Sequence, residues 1–403
     1  MTASLEGIRV IEIASAHAAY AGKLLADYGA DVTVIEPSGG HASRWFEPFA
    51  GDVPDPEHSL WWWHYNTSKH SRVLDLDDED GRAALVDLVA GADIVLEGEP
   101  PGELSRRQLD YADLRTDELV WVSVTPYGRR GPRADDAFTD LTVLADGGVV
   151  WMCGYDDHSI PPVRGGGNQG FQTASLFAAM AALTAIVHRD AGGPGQFVDV
   201  SMHAAANITT EAGTYEYLVA GETVQRLTGR HANVFVTTPS IAAAADGRAV
   251  HTGVPPRSVR EFEKMLVWLD DLELTDEFTE TFFLHMGVER GGVRLDEIAT
   301  DVEAGAIFNA GREVLRFIAG RLGSYEFFRE AQEHGFAAGI VYAPEEVLGD
   351  PHFIGRGFPT PVDHDGETVI YPGLPIAMLG SPGRITRAPR LGESAAARQE
   401  TRP

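Results

Sequence analysis

The sequence contains few of the residues that covalent or metal cross-links require. Cys153 is the only cysteine, so the chain can form no intrachain disulfide and no cysteine cluster that would hold zinc. We expect Cys153 to be a small buried thiol rather than a nucleophile, and we expect no metal cofactor. Residues 1–7 lack a basic region followed by an apolar stretch, which argues against a signal peptide and favours a cytoplasmic protein.

Positive charge is also scarce. Lysine occurs at positions 23, 69 and 264 alone, and the net charge is −28. Nucleic acids and anionic membranes both require a basic face, so we expect neither as a partner. The most apolar stretch, residues 174–187, predicts a helix that falls short of spanning a bilayer. Any anionic ligand must therefore be held by local arginines and backbone donors.

The first half of the chain has the pattern of a doubly wound α/β fold. Residues 8–14 predict a buried strand, 18–28 a helix and 31–36 a second strand, which together form a βαβ unit. The pattern continues with a helix at 80–89 and strands at 93–97 and 119–124. No Gly-x-Gly-x-x-Gly follows the first strand, because residues 15–19 read Ser-Ala-His-Ala-Ala. The sequence therefore predicts a parallel sheet without a dinucleotide fingerprint.

The second half has a different texture. Residues 234–243 and 248–253 flank Asp246-Gly247, a hairpin turn signal. Helices are predicted at 257–269, 312–320 and 324–334, and a late strand at 339–343. With 403 residues in all, the chain is long enough for a second, smaller α+β domain.

Four motifs, in order along the chain, carry a resemblance to a known family. They are Leu-Glu-Gly-Ile-Arg-Val-Ile-Glu at 5–12, Asn-Thr-Ser-Lys-His-Ser at 66–71, Tyr-Gly-Arg-Arg-Gly-Pro at 127–132 and Ala-Pro-Arg-Leu-Gly-Glu at 388–393. Together they resemble the family III CoA-transferases. The resemblance implies a Rossmann-like large domain from both chain ends (1–205 and 340–403), a linker (206–224) and a small α+β domain (225–335). It also implies an interlocked homodimer.

The resemblance further implies an acyl-CoA and a small carboxylic acid as substrates. By position, Lys69 and Arg106 match residues that hold the CoA phosphates, and Asn66 lies beside the adenine region. His17 and Ala18 match the loop after the first strand, which lies against the ligand. The alternatives are a surface role for Lys69, a solvated helix charge for Arg106, and a capping or packing role for His17.

The family pattern is broken where its chemistry is carried out. The family places an Asp at position 168, where its carboxylate attacks the thioester to form a mixed anhydride; this chain has Asn168. The His of the family's racemases is replaced by Thr139. Asp140 remains, either as a base or substitute nucleophile or as a helix N-cap. The glycines at 165–167 either present backbone amides to an oxyanion or form a turn.

A second break concerns the phosphate-binding side of the cleft. The family's Glu-Asn-Phe-Arg-Pro-Gly reads Glu-Gly-Glu-Pro-Pro-Gly at 97–102, so that Glu99 would repel phosphate. Either CoA lies differently or other cations compensate, of which Arg129, Arg130 and Arg133 are nearest in sequence.

Three functions remain open from the sequence. The leading hypothesis is a CoA-transferase that moves CoA between carboxylic acids. The alternatives are an acyl-CoA racemase, isomerase or dehydratase, and a non-catalytic subunit that binds CoA.

Overall fold

A computed structural model describes residues 2–298 and 300–393. The chain divides into two compact units. Unit 1 contains residues 2–150, 164–211 and 348–393, and unit 2 contains the described residues of 151–163 and 212–347.

The strands are β1 (Arg9–Ile13), β2 (Asp31–Glu36), β3 (His70–Val73), β4 (Ile94–Glu97), β5 (Val120–Thr125), β6 (Phe197–Ser201), β7 (Ile241–Ala243), β8 (Ala249–His251), β9 (Gly339–Ile340), β10 (Pro359–His364) and β11 (Glu367–Pro372). The helices are α1 (Ala19–Asp27), α2 (Leu60–Tyr65), α3 (Glu79–Ala90), α4 (Glu103–Arg106), α5 (Tyr111–Leu114), α6 (Asp140–Asp146), α7 (Gln169–Asp190), α8 (Met202–Ile208), α9 (Glu211–Ala220), α10 (Val259–Asp271), α11 (Thr281–Glu289), α12 (Val302–Ala319), α13 (Ser324–Glu333) and α14 (Pro351–Gly355).

Unit 1 is built on a six-stranded sheet in the order β3-β2-β1-β4-β5-β6, and every neighbouring pair is parallel. Successive side chains of a strand point to opposite faces. In β5, Val120, Val122 and Val124 therefore pack into one core with α1 and α7, whereas Trp121 packs into the other core with α3. Both faces are covered, which explains the continuous apolar runs and confirms the α/β prediction.

Helix α7 is longer than the sequence predicts. It has 22 residues and a mean hydropathy of 1.6 over its most apolar window, enough by length and composition to cross a membrane. The expectation that this helix falls short of a bilayer was therefore wrong. One side of α7 presents the small residues Ala174, Ala178 and Ala182 to the core of unit 1, so the apolar composition also serves close packing against the sheet.

The last described residues of unit 1 form an irregular segment, 376–392, that we call the C-terminal strap. Its backbone bonds to the start of the chain: the Tyr28 hydroxyl donates to the carbonyl of Ile376 at 3.1 Å, and the amide of Arg384 donates to the carbonyl of Asp27 at 2.8 Å. The indole of Trp62 donates to the carbonyl of Pro389 at 3.1 Å. Described residues from the first and the last part of the sequence thus share one unit.

Unit 2 combines the antiparallel sheet β7-β8-β9 with helices α10 to α13. Helix α10 begins with a capping box, in which Ser258 and Glu261 each bond to the other's backbone amide. The apolar side of α10 buries Phe262, Met265 and Trp268 in the core of this unit.

The structure differs from the predicted boundaries in unit 2. Residues 151–163 group with the small unit, because the indole of Trp151 donates to the Val224 carbonyl and the amide of Asp156 to the Thr228 hydroxyl. The predicted linker 206–224 contains α9. The predicted strand 234–243 is a strand over its last three residues alone; before it, the carbonyls of Thr238 and Pro239 accept from the side chains of Arg312 and Arg316.

Candidate active site

The order of strands in unit 1 indicates where a ligand lies. The order reverses between β1 and β4, and ligands of such sheets bind beyond the carboxyl ends of the strands at that point. Three small or polar groups follow there: the hydroxyls of Ser15 and Thr125 are buried without a hydrogen-bond partner in the described structure, and Gly98 lies between them. A Cβ on Gly98 would collide with Ser15 and His17. The edge is therefore shaped by small residues.

His17 lies at this edge as a neutral imidazole. Burial lowers the pKa of His17 to about 4, so at neutral pH its Nε2 is available to donate to the carbonyl of Val124 at 3.0 Å. Its ring contacts Phe138 and Phe171, with centroids 5.2 and 5.9 Å away. The next residue, Ala18, is fully buried. The loop after β1 thus packs against the residues that surround the start of α7.

Asn168 is the N-cap residue of α7, but its side chain makes no capping bond. The helix is capped by a different residue: Asp140 Oδ1 accepts from the amide of Phe171 at 3.0 Å. Gly167, with φ of +79°, adopts the left-handed conformation that leads the chain into Asn168. The amide of Asn168 is therefore not used for capping the helix.

Asp140 is the first residue of α6 and is 7% exposed. The interpretation of Asp140 as the N-cap of its own helix was wrong, because Thr139 caps α6 in a capping box with Thr142. Asp140 caps α7 instead. Its second oxygen, Oδ2, accepts from Arg164 Nη1 at 3.3 Å. Both carboxylate oxygens are therefore engaged, which weakens this group as a nucleophile.

Arg164 joins the glycine loop to Asp140. Its Nη1 also donates to the carbonyl of Gly167 at 2.7 Å, and its side chain remains 36% exposed. Arg164 was not predicted as a site residue. A signal was present, since it is the single cation between His158 and His188.

Tyr65 is a further group at this site that the sequence analysis did not identify. Its hydroxyl accepts from Gln172 Nε2, on the first turn of α7, at 2.8 Å. Burial raises the pKa of the Tyr65 phenol, while side-chain hydrogen bonds to Gln172 and Asn168 act in the opposite direction. The phenol thus stays protonated at neutral pH beside Asn168. No sequence signal pointed to Tyr65, because the contact joins α2 to α7 across 107 positions.

Lys69 does not have the surroundings of a phosphate ligand. Its ammonium is fully buried and bonds to Glu12 at 2.8 Å, to Asn66 Oδ1 at 2.9 Å and to the carbonyl of Ala19 at 2.9 Å. Burial lowers the pKa of Lys69, and the charge of Glu12 opposes that shift. The structure therefore differs from the predicted phosphate contact. Asn66 is also buried and orients this ammonium, which leaves it no exposed face for an adenine ring.

The arginines near the altered 97–102 segment differ in availability. Arg106 has a side chain that is 71% exposed and pairs with Glu103 of its own helix. Arg129 is engaged by Glu97 and Asp110, each at 3.2 Å, and Arg133 is engaged by acidic partners as well. Burial raises the pKa of Glu99, which reduces its charge. Arg106 is thus the most accessible of these three guanidinium groups.

Two further features of the structure concern other kinds of site. Among the described residues, no group of three or more His, Cys, Asp or Glu side chains could hold a metal ion. A cavity of about 840 Å³ lies along the C-terminal strap and the β10-β11 hairpin. None of the candidate site residues described in this subsection lines that cavity, so we assign the chemistry to the edge of the sheet on the basis of its polar groups.

Comparison with known proteins identifies relatives along the whole chain. The sequence model of CoA-transferase family III matches residues 5–395. A succinate–glutarate CoA-transferase of Agrobacterium fabrum is 29% identical, with 96% of this chain and 93% of the relative covered. The BbsE subunit of succinyl-CoA:(R)-benzylsuccinate CoA-transferase of Thauera aromatica is 28% identical, with 96% and 91% covered. A CAIB/BAIF family protein from Brucella suis has a similar structure, with a TM-score of 0.77, 25% identity, and 98% and 97% covered.

Proposed function

Since the chain belongs to CoA-transferase family III and moves CoA between carboxylic acids, we propose that both acids are small dicarboxylic acids. The observation that carries this proposal is the match over nearly the full length to relatives whose names specify succinate with glutarate or benzylsuccinate. A dicarboxylic acid carries two negative charges, and in an acidic protein its binding requires a local cation. Arg164, whose side chain is 36% exposed, is such a cation.

We propose the following arrangement for the CoA thioester. His17 and Ala18 line the cleft beyond β1, and the exposed guanidinium of Arg106 contacts a phosphate. Lys69 supports this loop without touching the ligand, because its buried contacts with Glu12 and Ala19 hold the start of α1 in place. Asn66 accepts a hydrogen bond from Lys69 and so orients that ammonium. A charge-assisted contact of the Arg106 kind contributes on the order of 1.5–3 kcal/mol.

The reacting carbonyl lies at Asn168 in this proposal. When a nucleophile attacks the thioester, the carbonyl oxygen gains negative charge, and hydrogen-bond donors aimed at it stabilise the transition state. The Asn168 amide is a donor that the helix does not use, and the protonated Tyr65 hydroxyl lies beside it. Asp140 holds the first turn of α7 in place, rather than supplying the nucleophile.

The assembly proposal has three parts. Residues from both chain ends form the large domain and the middle segment the small domain; two chains interlock as a homodimer; and the protein resides in the cytoplasm. Sedimentation at micromolar concentration tests the dimer, and a monomer with native secondary structure would contradict it.

The activity is tested with succinyl-CoA and a panel of free dicarboxylic acids, with the thioesters separated by chromatography. We expect a new acyl-CoA together with free succinate. Arg106→Gln should raise the KM for the thioester, whereas the control Arg294→Gln, at a 74% exposed side chain of unit 2, should not. Failure to form any new thioester with the whole panel would contradict the proposed function.

One observation favours a second candidate. The Thauera relative is named as a subunit, and this chain lacks an Asp at position 168. The chain would then be a CoA-binding subunit that acts with an active partner of the same family. Tight binding of CoA by the purified chain, without turnover of any acid in the panel, would support that candidate.

A further inference from the structure

Transfer of CoA between two acids requires a carboxylate to attack a thioester carbon, and the structure limits which carboxylate that can be. No Asp or Glu occurs between Asp157 and Asp190. Asp140, the first residue of α6, caps α7, is 7% exposed and has both oxygens engaged. Toward this edge of the sheet, Glu12 and Glu97 are fully buried and ion-paired, Glu12 with Lys69 and Glu97 with Arg129. Glu99, which follows Gly98, is partly buried, and burial raises its pKa.

We propose that the carboxylate of the acid substrate itself attacks the thioester, so that no acyl group is carried on the protein. This inference rests on the proposed function, because it specifies how the same site transfers CoA. The acid and the thioester must then be bound together, and the reaction passes through a mixed anhydride of the two substrates.

The steps balance without any further reactant. An oxygen lone pair of the acid forms a C–O bond to the thioester carbon, and the C–S electron pair leaves with CoA as a thiolate. The thiolate then attacks the other carbonyl of the anhydride, the one from the incoming acid. A new C–S bond forms there, and the C–O bond breaks so that its oxygen stays with the departing acid. No proton is consumed and nothing is oxidised.

Arg164 is the group that the geometry assigns to the attacking acid. Its Nη1 holds Asp140 and the glycine loop, whereas its Nε and Nη2 make no hydrogen bond to any residue in the described ranges. With 36% of the side chain exposed, these two nitrogens can form a fork for a carboxylate. A chain with a net charge of −28 requires such a local cation to bind an anion at all.

This mechanism is possible because Asp140, and not Asn168, caps α7. Because Asp140 caps α7, Asn168 needs no capping bond. A neutral amide at position 168 does not repel the acid, whereas a carboxylate there would. Close approach of two reactants in the correct geometry supplies much of the rate acceleration in such a direct transfer.

A single-turnover experiment with ¹⁸O distinguishes direct transfer from transfer through the protein. Enzyme in excess is mixed with succinyl-CoA and glutarate whose carboxylates carry ¹⁸O. Direct attack moves one ¹⁸O into each succinate released in the first turnover. Unlabelled succinate, with ¹⁸O in the peptide that contains Asp140, would overturn the inference and leave the transferase function intact. No release of succinate would overturn the proposed function and the inference with it.

Two variants sharpen the test. Asn168→Asp restores a carboxylate, so ¹⁸O should now be found in the peptide that contains residue 168. Arg164→Gln should raise the KM for the acid by about 10- to 100-fold and leave the KM for the thioester nearly unchanged, and Arg164→Lys should recover part of that loss. An equal rise in both KM values for Arg164→Gln would mean that Arg164 only holds the loop, which contradicts its assignment.

Discussion

The two units handle charge in opposite ways. The core of unit 1 contains ionisable side chains that are almost fully buried, such as Glu12, Lys23, Asp27, Glu36, Arg44, Lys69 and Glu97. The core of unit 2 is apolar and aromatic, and its ion pairs, such as those of Arg290, lie near the surface. Among the buried cations of unit 2, Arg226 bonds to the backbone carbonyls of His158 and Ile160. Arg230, whose side chain is 5% exposed, pairs with Asp156, whose side chain is 41% exposed.

The buried charges of unit 1 position parts of its chain, whereas unit 2 requires no such positioning. Removing charges from water is unfavourable, and a buried pair offsets that cost only when its hydrogen bonds are good. In unit 1 two of the buried pairs join segments that are distant in sequence: Lys69 bonds to β1 and to the start of α1, and Arg129 bonds to Glu97. These contacts set the position of the loop that carries His17. Unit 2 needs no such positioning and uses apolar burial, which is less directional.

The largest expected effect in unit 2 is the loss of a core aromatic ring. Phe262 is fully buried, so Phe262→Ala should lower the free energy of unfolding by about 3–5 kcal/mol, independently of pH. Denaturant titration with hydrogen exchange of the unit 2 peptides measures the loss. The matched control is Phe282→Ala, at a ring that is 54% exposed; a similar loss there would contradict the role of burial.

A comparable effect in unit 1 comes from breaking a buried ion pair. Lys69→Met leaves Glu12 charged and buried, which should cost about 3–5 kcal/mol. The loss should shrink as the pH falls, because burial raises the pKa of Glu12 and the variant folds more readily with that group protonated. The double variant Glu12→Gln, Lys69→Met should recover much of the stability. The control is Lys264→Met in unit 2. If the two variants lose the same free energy of unfolding, the buried Glu12–Lys69 pair does not contribute more than an ordinary lysine.

Acid should destabilise unit 1 through His17. Its pKa is about 4 in the folded protein, below the ordinary value of about 6.5, so the unfolded chain binds the proton more readily. The stability from neutral His17 is complete above about pH 6.5 and is lost as the pH falls toward 4, by about 3 kcal/mol. His17→Leu should remove this part of the pH dependence, as measured by urea titration at several pH values. If the free energy of unfolding depends on pH in the same way in the variant, groups other than His17 cause that dependence.

The two units can also be compared through their helix caps, whose removal should have a smaller effect on stability. Thr139→Ala in unit 1 and Ser258→Ala in unit 2 each remove a capping box, and each should cost about 1 kcal/mol. Thr139→Ala should also reduce turnover, because Asp140 follows directly and caps α7. Ser258→Ala should leave turnover unchanged. Equal losses of turnover in the two variants would indicate that general instability, not the position of Asp140, limits activity.

The smallest effect is expected at the surface of unit 2. Arg290 pairs with Glu297, Asp301 and Glu303, but exposed pairs are screened by solvent and salt. Arg290→Gln should shift the denaturation midpoint slightly at low salt and not at about 1 M salt. A shift of the midpoint that persists at high salt would mean that these ion pairs are shielded from solvent, as buried pairs are.

Local patterns in the sequence predicted the framework of unit 1 well. The predicted strand 8–14 and helix 18–28 correspond to β1 and α1, because apolar spacing within a dozen residues determines both. In unit 2 the predicted helix 312–320 covers only the second half of α12. Its first half includes Gly305 and Asn309, which have low helix propensity, and tertiary packing overrides that weakness.

The site was less predictable, because its contacts join distant segments. The resemblance led to His17, Asp140 and Asn168, which do meet around the start of α7. It could not show that Asp140 caps α7 instead of α6, since both roles fit an Asp before an apolar run. Lys69 was assigned to the phosphates by its position in the family pattern, but its ammonium pairs with a buried carboxylate, Glu12. Such a partner, 57 positions away, leaves no local trace in sequence.

The C-terminal strap has a consequence for biosynthesis. A ribosome releases the chain from the N-terminus, and domains fold as their residues emerge. Unit 2 is complete once residue 347 has been made. Unit 1 has to wait, since its contacts to Asp27, Trp62 and Ser71 come from residues 384, 389 and 392. A nascent chain should therefore carry a folded unit 2 while unit 1, whose six strands have all been made, still lacks its contacts with the C-terminal strap. A premature stop in the last few dozen codons should leave unit 1, with its candidate active site, without those contacts.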